Sequence, residues 1–311
     1  MLISAMSDLH LEFGDLTLPG GDILLLAGDT WLAAPMRDDC TSVSGLKVRD
    51  RFRRFCADEL SKYERVFLVN GNHEHYGCHW SETSDIIRKF LAENAPNAKL
   101  LDNQIVLEYG LVFIGSTLWA SYGYPDVSQM ELIRARMSDC RSIRMTDQKG
   151  YTRCITPKDV YDQHKRCRYN IAKLIKEYPE RAKILITHHA PSWLSKKFSA
   201  YPPGDMDWAY YSNFERVMGN KNKLVLAIHG HTHDNSRFRV KGTVVCSNQR
   251  GYEGYDLNAA NFDPHACDIT RGEIMESLKQ IDETAEKAKK ICRKKPRTPS
   301  KRGEKAFTKS S

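Results

Sequence analysis

The sequence predicts an α/β protein, and three observations carry that reading. Short apolar runs of strand length recur along the chain: Met1 to Met6, Ile23 to Ala27, Val66 to Val69, Leu111 to Trp119, Ile184 to Thr187, Leu224 to Ile228 and Thr243 to Ser247. Between several of them lie segments with apolar residues at helical spacing, Val48 to Tyr63, Trp80 to Ala92 and Lys158 to Tyr178. The runs are continuous rather than alternating, which suits strands covered on both faces. With 311 residues, 41% of them hydrophobic, the chain can hold one large α/β domain or two smaller ones with a substantial core.

Each element has a local reason. Met1 to Met6 delivers Ser7-Asp8-Leu9-His10, and an extended exit aims Asp8 and His10 the same way. Ile23 to Ala27 ends in Gly28-Asp29, where open α/β sheets place ligands, although Asp29 alone reads better as a helix N-cap or turn residue. Residues 33–47 are polar and irregular and read as a loop. In the helix that follows, the arginines Arg49, Arg51, Arg53 and Arg54 form a solvated face. Val66 to Val69 runs into Asn70-Gly71-Asn72-His73-Glu74, where Asn72 offers a carbonyl oxygen to a metal and His73 can act as a general acid. His75 and His79 read as outer or loop residues.

Residues 120–157 show no clear strand pattern. Arg134, Arg136, Arg141 and Arg144 fall there with Asp139 between them, as in an insertion that shapes a substrate pocket or a solvated helical excursion. The Lys158 to Tyr178 helix carries His164 on its apolar stripe, and Pro179 helps end it. Ile184 to Thr187 runs into His188-His189-Ala190-Pro191, and Tyr211 to Met218 reads as a short helix. Leu224 to Ile228 runs into His229-Gly230-His231-Thr232-His233. An extended exit lets His231 and His233 reach one site or two adjacent metals. Thr243 to Ser247 is the last strand, ahead of Asn248-Gln249-Arg250-Gly251-Tyr252.

Beyond residue 268 the character changes. Ile274, Leu278, Ile281, Ala285, Ala288 and Ile291 predict an amphipathic helix over 269–292, packed on the core or on a partner. Residues 293–311 are basic and expected to be disordered. The organisation expected is a domain over 1–268, with a partly helical insertion at 120–182, then this helix and tail.

Charge and cysteine usage narrow the class. Residues 271–311 hold 13 Lys and Arg against 6 Asp and Glu, a net +7, so the remaining 270 residues are nearly neutral. That argues against nucleic-acid binding by the folded part and leaves the tail as a binding arm or a solubilising extension. No apolar run approaches the ~20 residues of a membrane span, and no signal peptide is evident. Nine scattered cysteines without a Cys-x-x-Cys pair fit reduced thiols and a cytoplasmic protein.

Five runs end in ligand-type residues: Asp8 and His10, Asp29, Asn72 and His73, His188, and His231 and His233. Core packing requires no polar group at those ends. A pair of adjacent divalent cations needs such carboxylates, amides and imidazoles, with one carboxylate shared. Mixed nitrogen and oxygen ligation suits Mn, Fe, Zn, Co or Ni, with Mn favoured.

The ordered set Asp8-x-His10, Gly28-Asp29, Gly71-Asn72-His73-Glu74, His188 before Ala-Pro, and Gly230-His231-x-His233 resembles the calcineurin-like metallophosphoesterase superfamily. The resemblance implies two packed β-sheets flanked by helices. It also implies Asp8, His10 and His233 on a first metal, Asn72, His188 and His231 on a second, and Asp29 bridging. His73 is implied to contact the phosphate and protonate the leaving oxygen, while a metal-bridging hydroxide attacks a phosphomonoester or phosphodiester. Strand register favours His188 over His189. Gly28-Asp29 continues as Thr30-Trp31-Leu32, so the Asp and Arg of the protein phosphatases are missing. Later segments look like a bacterial and phage branch, which usually has Pro where Gln249 stands. Arg141, Arg144, His164 and Arg250 are candidate substrate contacts. Alternatives are a nuclease that holds nucleic acid with the basic tail, and a metal-binding scaffold without turnover.

Overall fold

The structure, a computed structural model, describes residues 1–294. The tail expected over 293–311 lies outside them apart from its first two positions. In chain order the first half contains β1 (Leu2–Met6), β2 (Gly21–Leu26), α1 (Val43–Arg54), β3 (Tyr63–Leu68), α2 (Thr83–Asn94), β4 (Ala98–Leu100), β5 (Gln104–Glu108) and β6 (Leu111–Ser116). Next come α3 (Val127–Arg136), α4 (Asp139–Ser142), the hairpin β7 (Arg144–Thr146) and β8 (Thr152–Cys154), and α5 (Pro157–Glu177). The last of the described elements are β9 (Lys183–Thr187), β10 (Leu224–Ile228), β11 (Ser236–Val240), β12 (Thr243–Ser247), α6 (Leu257–Ala260), β13 (Ile269–Thr270) and α7 (Arg271–Lys294).

The strands form two main sheets, ordered β13-β1-β2-β3-β4 and β11-β12-β10-β9-β6-β5. The inner strands are parallel: β1 with β2, β2 with β3, β6 with β9, β9 with β10, and β10 with β12. Alternate residues of each strand face opposite ways. Ile3, Ala5, Ile23, Leu25 and Phe67 meet Phe113, Ile184, Ile186, Leu226 and Ile228 in the layer between the sheets. On the other face of the first sheet, Met6, Leu24, Leu26, Val66 and Leu68 pack against Phe52, Ile87, Phe90 and Leu91 of the helices. Val112, Ile114, Leu185, Ala227 and Val245 likewise meet Val160, Ile171 and Ile175 of α5. Burial on both faces is why these strands read as unbroken apolar runs. Ile274 and Ile281 of α7 are buried in the layer between the sheets.

Local signals account for the helix starts. Thr156 and Asp159 form a capping box around Pro157 at the head of α5. The α1 helix begins inside the segment expected to be loop, because the Ser42 side chain accepts from Gly45 N. Tyr211 to Met218 is not a helix. It holds only a tight turn at Glu215–Val217.

The expectation of reduced thiols throughout is corrected: Cys246 of β12 and Cys267, just before β13, form a disulfide. The two lie 21 positions apart and meet in the buried layer between the sheets.

Candidate metal centre

The C-terminal ends of β1, β2 and β3 in one sheet and β9 and β10 in the other meet at one edge of the sandwich. Main-chain bonds lock the junction: Asp8 N donates to Gly28 O at 3.0 Å, Gly230 N to His188 O at 2.9 Å and Gly251 N to Asp8 O at 2.9 Å. The exits are not extended. Asp8, His10, Asp29, His231 and His233 all have positive φ, between 45° and 71°. Left-handed backbone at so many non-glycine residues is costly and is held only by surrounding structure. The paired side chains therefore converge through sharp turns, not through strand alternation.

Three groups of ligand-type side chains result, two of them built from the residues expected and a third from His10, Glu12 and His73. Asp8, His10 and His233 offer ligand atoms within 4.8 Å of one another, and so do Asp29, His188 and His231. His231 and His233 thus serve different clusters. In the second, His188 Nε2 lies 2.9 Å from Asn72 Oδ1, 3.1 Å from His231 Nδ1 and 3.4 Å from Asp29 Oδ2. In the first, Asp8 Oδ1 is 3.4 Å from His233 Nε2. Asp29 Oδ2 also lies 4.0 Å from His10 Nε2, so this carboxylate stands between the clusters. His10 Nε2 is buried with no hydrogen-bond partner among the described residues. A buried ring nitrogen without a partner, facing carboxylates, fits a cation better than packing.

Close approach requires glycine at two crossings. A Cβ at Gly28, whose φ is +89°, would stand 2.6 Å from His188 Nδ1 and 2.7 Å from Gly71 N. A Cβ at Gly230 would run into the Asp8 carboxylate. Around the clusters, neighbouring groups orient the rings. His188 Nδ1 donates to Ala27 O at 2.9 Å, and His233 Nδ1 to Asp256 at 2.7 Å. Gln249 accepts from His233 N at 2.7 Å and donates to Thr232 Oγ1 at 2.8 Å, bracing the loop between them.

His73 borders the clusters. Its main-chain N donates to Asp29 Oδ1 at 2.8 Å, its Nδ1 lies 3.7 Å from Glu12, and its Nε2 is 3.1 Å from the Tyr252 hydroxyl. The same Glu12 oxygen is 3.3 Å from His10 Nδ1. Burial disfavours the charged ring of His73, but the Asp29 and Glu12 carboxylates outweigh it and push its pKa up to about 9. His188 is buried too, and the carboxylates, Asp29 foremost, push it up to about 10. The pocket therefore attracts positive charge. Glu74 collects main-chain donors from Asp29, Thr30 and Gly71 at 3.0, 2.8 and 2.6 Å, tying the β2 and β3 exits together. Burial and the Asp29 charge push it up to about 8.

The other histidines have other partners. Both His189 nitrogens lack hydrogen bonds among the described residues, and its ring lies against Trp119 and His231. His229 bonds Ser195, and His79 bonds Ser81 and Thr146.

The four expected substrate contacts are elsewhere. His164 is buried, with Nδ1 donating to the Leu118 and Trp119 carbonyls at 2.9 and 3.0 Å. Arg250 is buried and spent on Leu9 O, Asp15 O and Glu253. Arg141 is exposed and donates to Ala135 O, and Arg144 sits exposed on β7. None of the four lines the cavity of about 630 Å³ that opens over the clusters. That cavity is walled by Tyr76, Tyr210, Tyr211 and Tyr252, with Arg136 and Lys196 as its cations. Lys196 pairs with Asp207 at 2.8 Å, whereas Arg136 has no ion pair among the described residues. Sequence reasoning gave no role in the site to Glu12, Asp139, Tyr76, Tyr252 or Asp256. Glu12 and Tyr252 had a weak signal, lying two residues from His10 and from Arg250.

Comparison with known proteins agrees with this geometry. Residues 2–235 match the calcineurin-like phosphoesterase family. An uncharacterised protein of Acanthamoeba polyphaga mimivirus is 28% identical over 217 residues, covering 66% of this chain and 73% of that protein. The crystal structure of a phosphopantetheinyl hydrolase from Mycobacterium tuberculosis superposes with a TM-score of 0.55 at 18% identity, over 80% of this chain and 89% of that one. That likeness is one of fold. With its two helix-flanked sheets and a family match across three-quarters of its length, the chain belongs to the calcineurin-like phosphoesterases and is a metal-dependent phosphate-ester hydrolase.

Proposed function

We propose that the chain hydrolyses a phosphomonoester or phosphodiester at a pair of divalent cations held between the two clusters. The observation that carries this reading is the pair of three-residue groups, each with ligand atoms within 4.8 Å, one containing Asp29 and the other reaching that same carboxylate through His10 at 4.0 Å. Asp8, His10 and His233 would hold one cation and Asn72, His188 and His231 the other, with Asp29 shared. The nitrogen and oxygen donor set suits Mn, with Fe, Zn, Co or Ni as alternatives. When bound, such cations supply Lewis acidity toward phosphoryl oxygens and lower the pKa of an attacking water toward neutrality.

The chain's own residues supply the rest. His73 Nδ1 faces Glu12 at 3.7 Å, which leaves Nε2, 3.9 Å from Asp29 Oδ2, to carry the proton for the departing oxygen. Tyr252, at 3.1 Å from that nitrogen, holds the ring in place. Arg136, without an ion pair of its own, offers charge to phosphoryl oxygens entering the cavity. The test is hydrolysis of p-nitrophenyl phosphate and bis-p-nitrophenyl phosphate by metal-stripped protein with each divalent metal added back. Metal-dependent turnover of either ester supports the reading. No turnover of either with any of the five metals contradicts it.

A further inference from the structure

The sequence leaves the segment between β6 and α5 as a pocket-shaping insertion or a solvated helical excursion, and its most buried polar group faces the metal centre. Asp139, at the start of α4, is fully buried. Its Oδ1 accepts from Asn72 Nδ2 at 2.9 Å and from the Tyr76 hydroxyl at 2.5 Å, and its Oδ2 accepts from the Tyr122 hydroxyl. The second hydrogen of the Asn72 amide goes to the Tyr76 oxygen at 3.1 Å. Both amide hydrogens are therefore spent on one side.

A carboxylate cannot donate, so the nitrogen end of Asn72 must face Asp139. The oxygen end is left facing His188 Nε2, at 2.9 Å. Turning the amide over would set its oxygen against the Asp139 carboxylate and its N–H groups against the cation. Tyr76 extends the arrangement, since its ring stacks on His73 with centroids 4.3 Å apart. Burial and the Asp139 charge push both phenols up, so they stay protonated and donate.

We propose that Asp139 is a positioning residue that fixes Asn72 with its oxygen toward the second cation cluster and thereby sets that cluster's metal affinity. This rests on the dinuclear reading above. Groups that orient metal ligands are typically worth ten- to a hundredfold in affinity.

The test titrates metal-stripped, full-length protein with Mn(II) and reads free Mn(II) by electron paramagnetic resonance. Wild type is expected to bind two ions. Asp139→Leu is expected to hold one of them at least about tenfold more weakly, with turnover recovered at raised Mn(II) and KM unchanged. Asp139→Asn, which keeps an acceptor in the same volume, is expected to regain most of the affinity. If Asp139→Leu does not fold, Asn72→Asp carries the test. It sets two carboxylates face to face, and adding Asp139→Asn should restore the second ion. Two ions bound equally well by wild type and Asp139→Leu, or no recovery in that double variant, overturns the role of Asp139. A wild type that binds none of Mn(II), Fe(II), Zn(II), Co(II) or Ni(II) in equilibrium dialysis overturns the metal reading itself.

Discussion

Replacing His164 with asparagine separates a structural ring from a substrate contact. The ring is 3% exposed, and burial pushes its pKa down to about 4, against the bonds its Nδ1 makes to the Leu118 and Trp119 carbonyls. Unfolded, the same ring titrates near 6.5. The unfolded chain then takes up the proton first as pH falls. The stability lost starts near pH 6.5 and is complete below about pH 4. By pH 5.5 the loss from this residue is about 1 kcal/mol, and its limit is about 3 kcal/mol. Asparagine can direct an amide N–H at the same carbonyls and does not titrate. Urea unfolding at pH 7.5 and 5.5 should show the stability difference between His164→Asn and wild type moving by about 1 kcal/mol in the variant's favour at the lower pH. KM for a phosphate ester should not change. Parallel pH dependence in the two proteins, or a raised KM, would refute the reasoning.

Three further outcomes follow from the geometry. His73→Ala should retain the metal content of wild type by elemental analysis, because His73 joins neither the Asp8 group nor the Asp29 group and shares only the His10 and Glu12 group, while kcat falls by roughly a hundredfold or more. Gly28→Ala should lower both Tm and bound metal, since its Cβ would stand 2.6 Å from His188 Nδ1 in a backbone with φ of +89°. Unchanged metal content would contradict the close-approach argument. Gln249→Ala removes the acceptor for His233 N and the donor to Thr232. It should cost about 1–3 kcal/mol in unfolding free energy, read by denaturant titration.

Much of the fold could be read from residue pattern because its central strands are covered on both faces. The runs at Ile23, Val66, Ile184 and Leu224 announce themselves without any partner being known. The strands that escaped notice are peripheral. Along β5, Gln104 to Glu108, no residue is fully buried, and β11 carries Arg237 and Arg239 on its open face. β4 and β13 are three and two residues long. Strands so short or so exposed owe their form to their neighbours. The ligand-type residues were visible for a different reason: each follows an apolar run directly. Groups that orient them were not. Asp139 meets Asn72 across 67 positions, and Asp256 meets His233 across 23. No local pattern marks such pairs. Basic residues misled for the converse reason, since Arg250 satisfies main-chain carbonyls that only the folded chain assembles.

The central claim is that Asp29 sits between two cations. Anomalous diffraction from crystals grown with Mn(II) tests it most directly. The account predicts two peaks on either side of the Asp29 carboxylate, one against Asp8, His10 and His233 and one against Asn72, His188 and His231. A single peak, or peaks away from these groups, would contradict it.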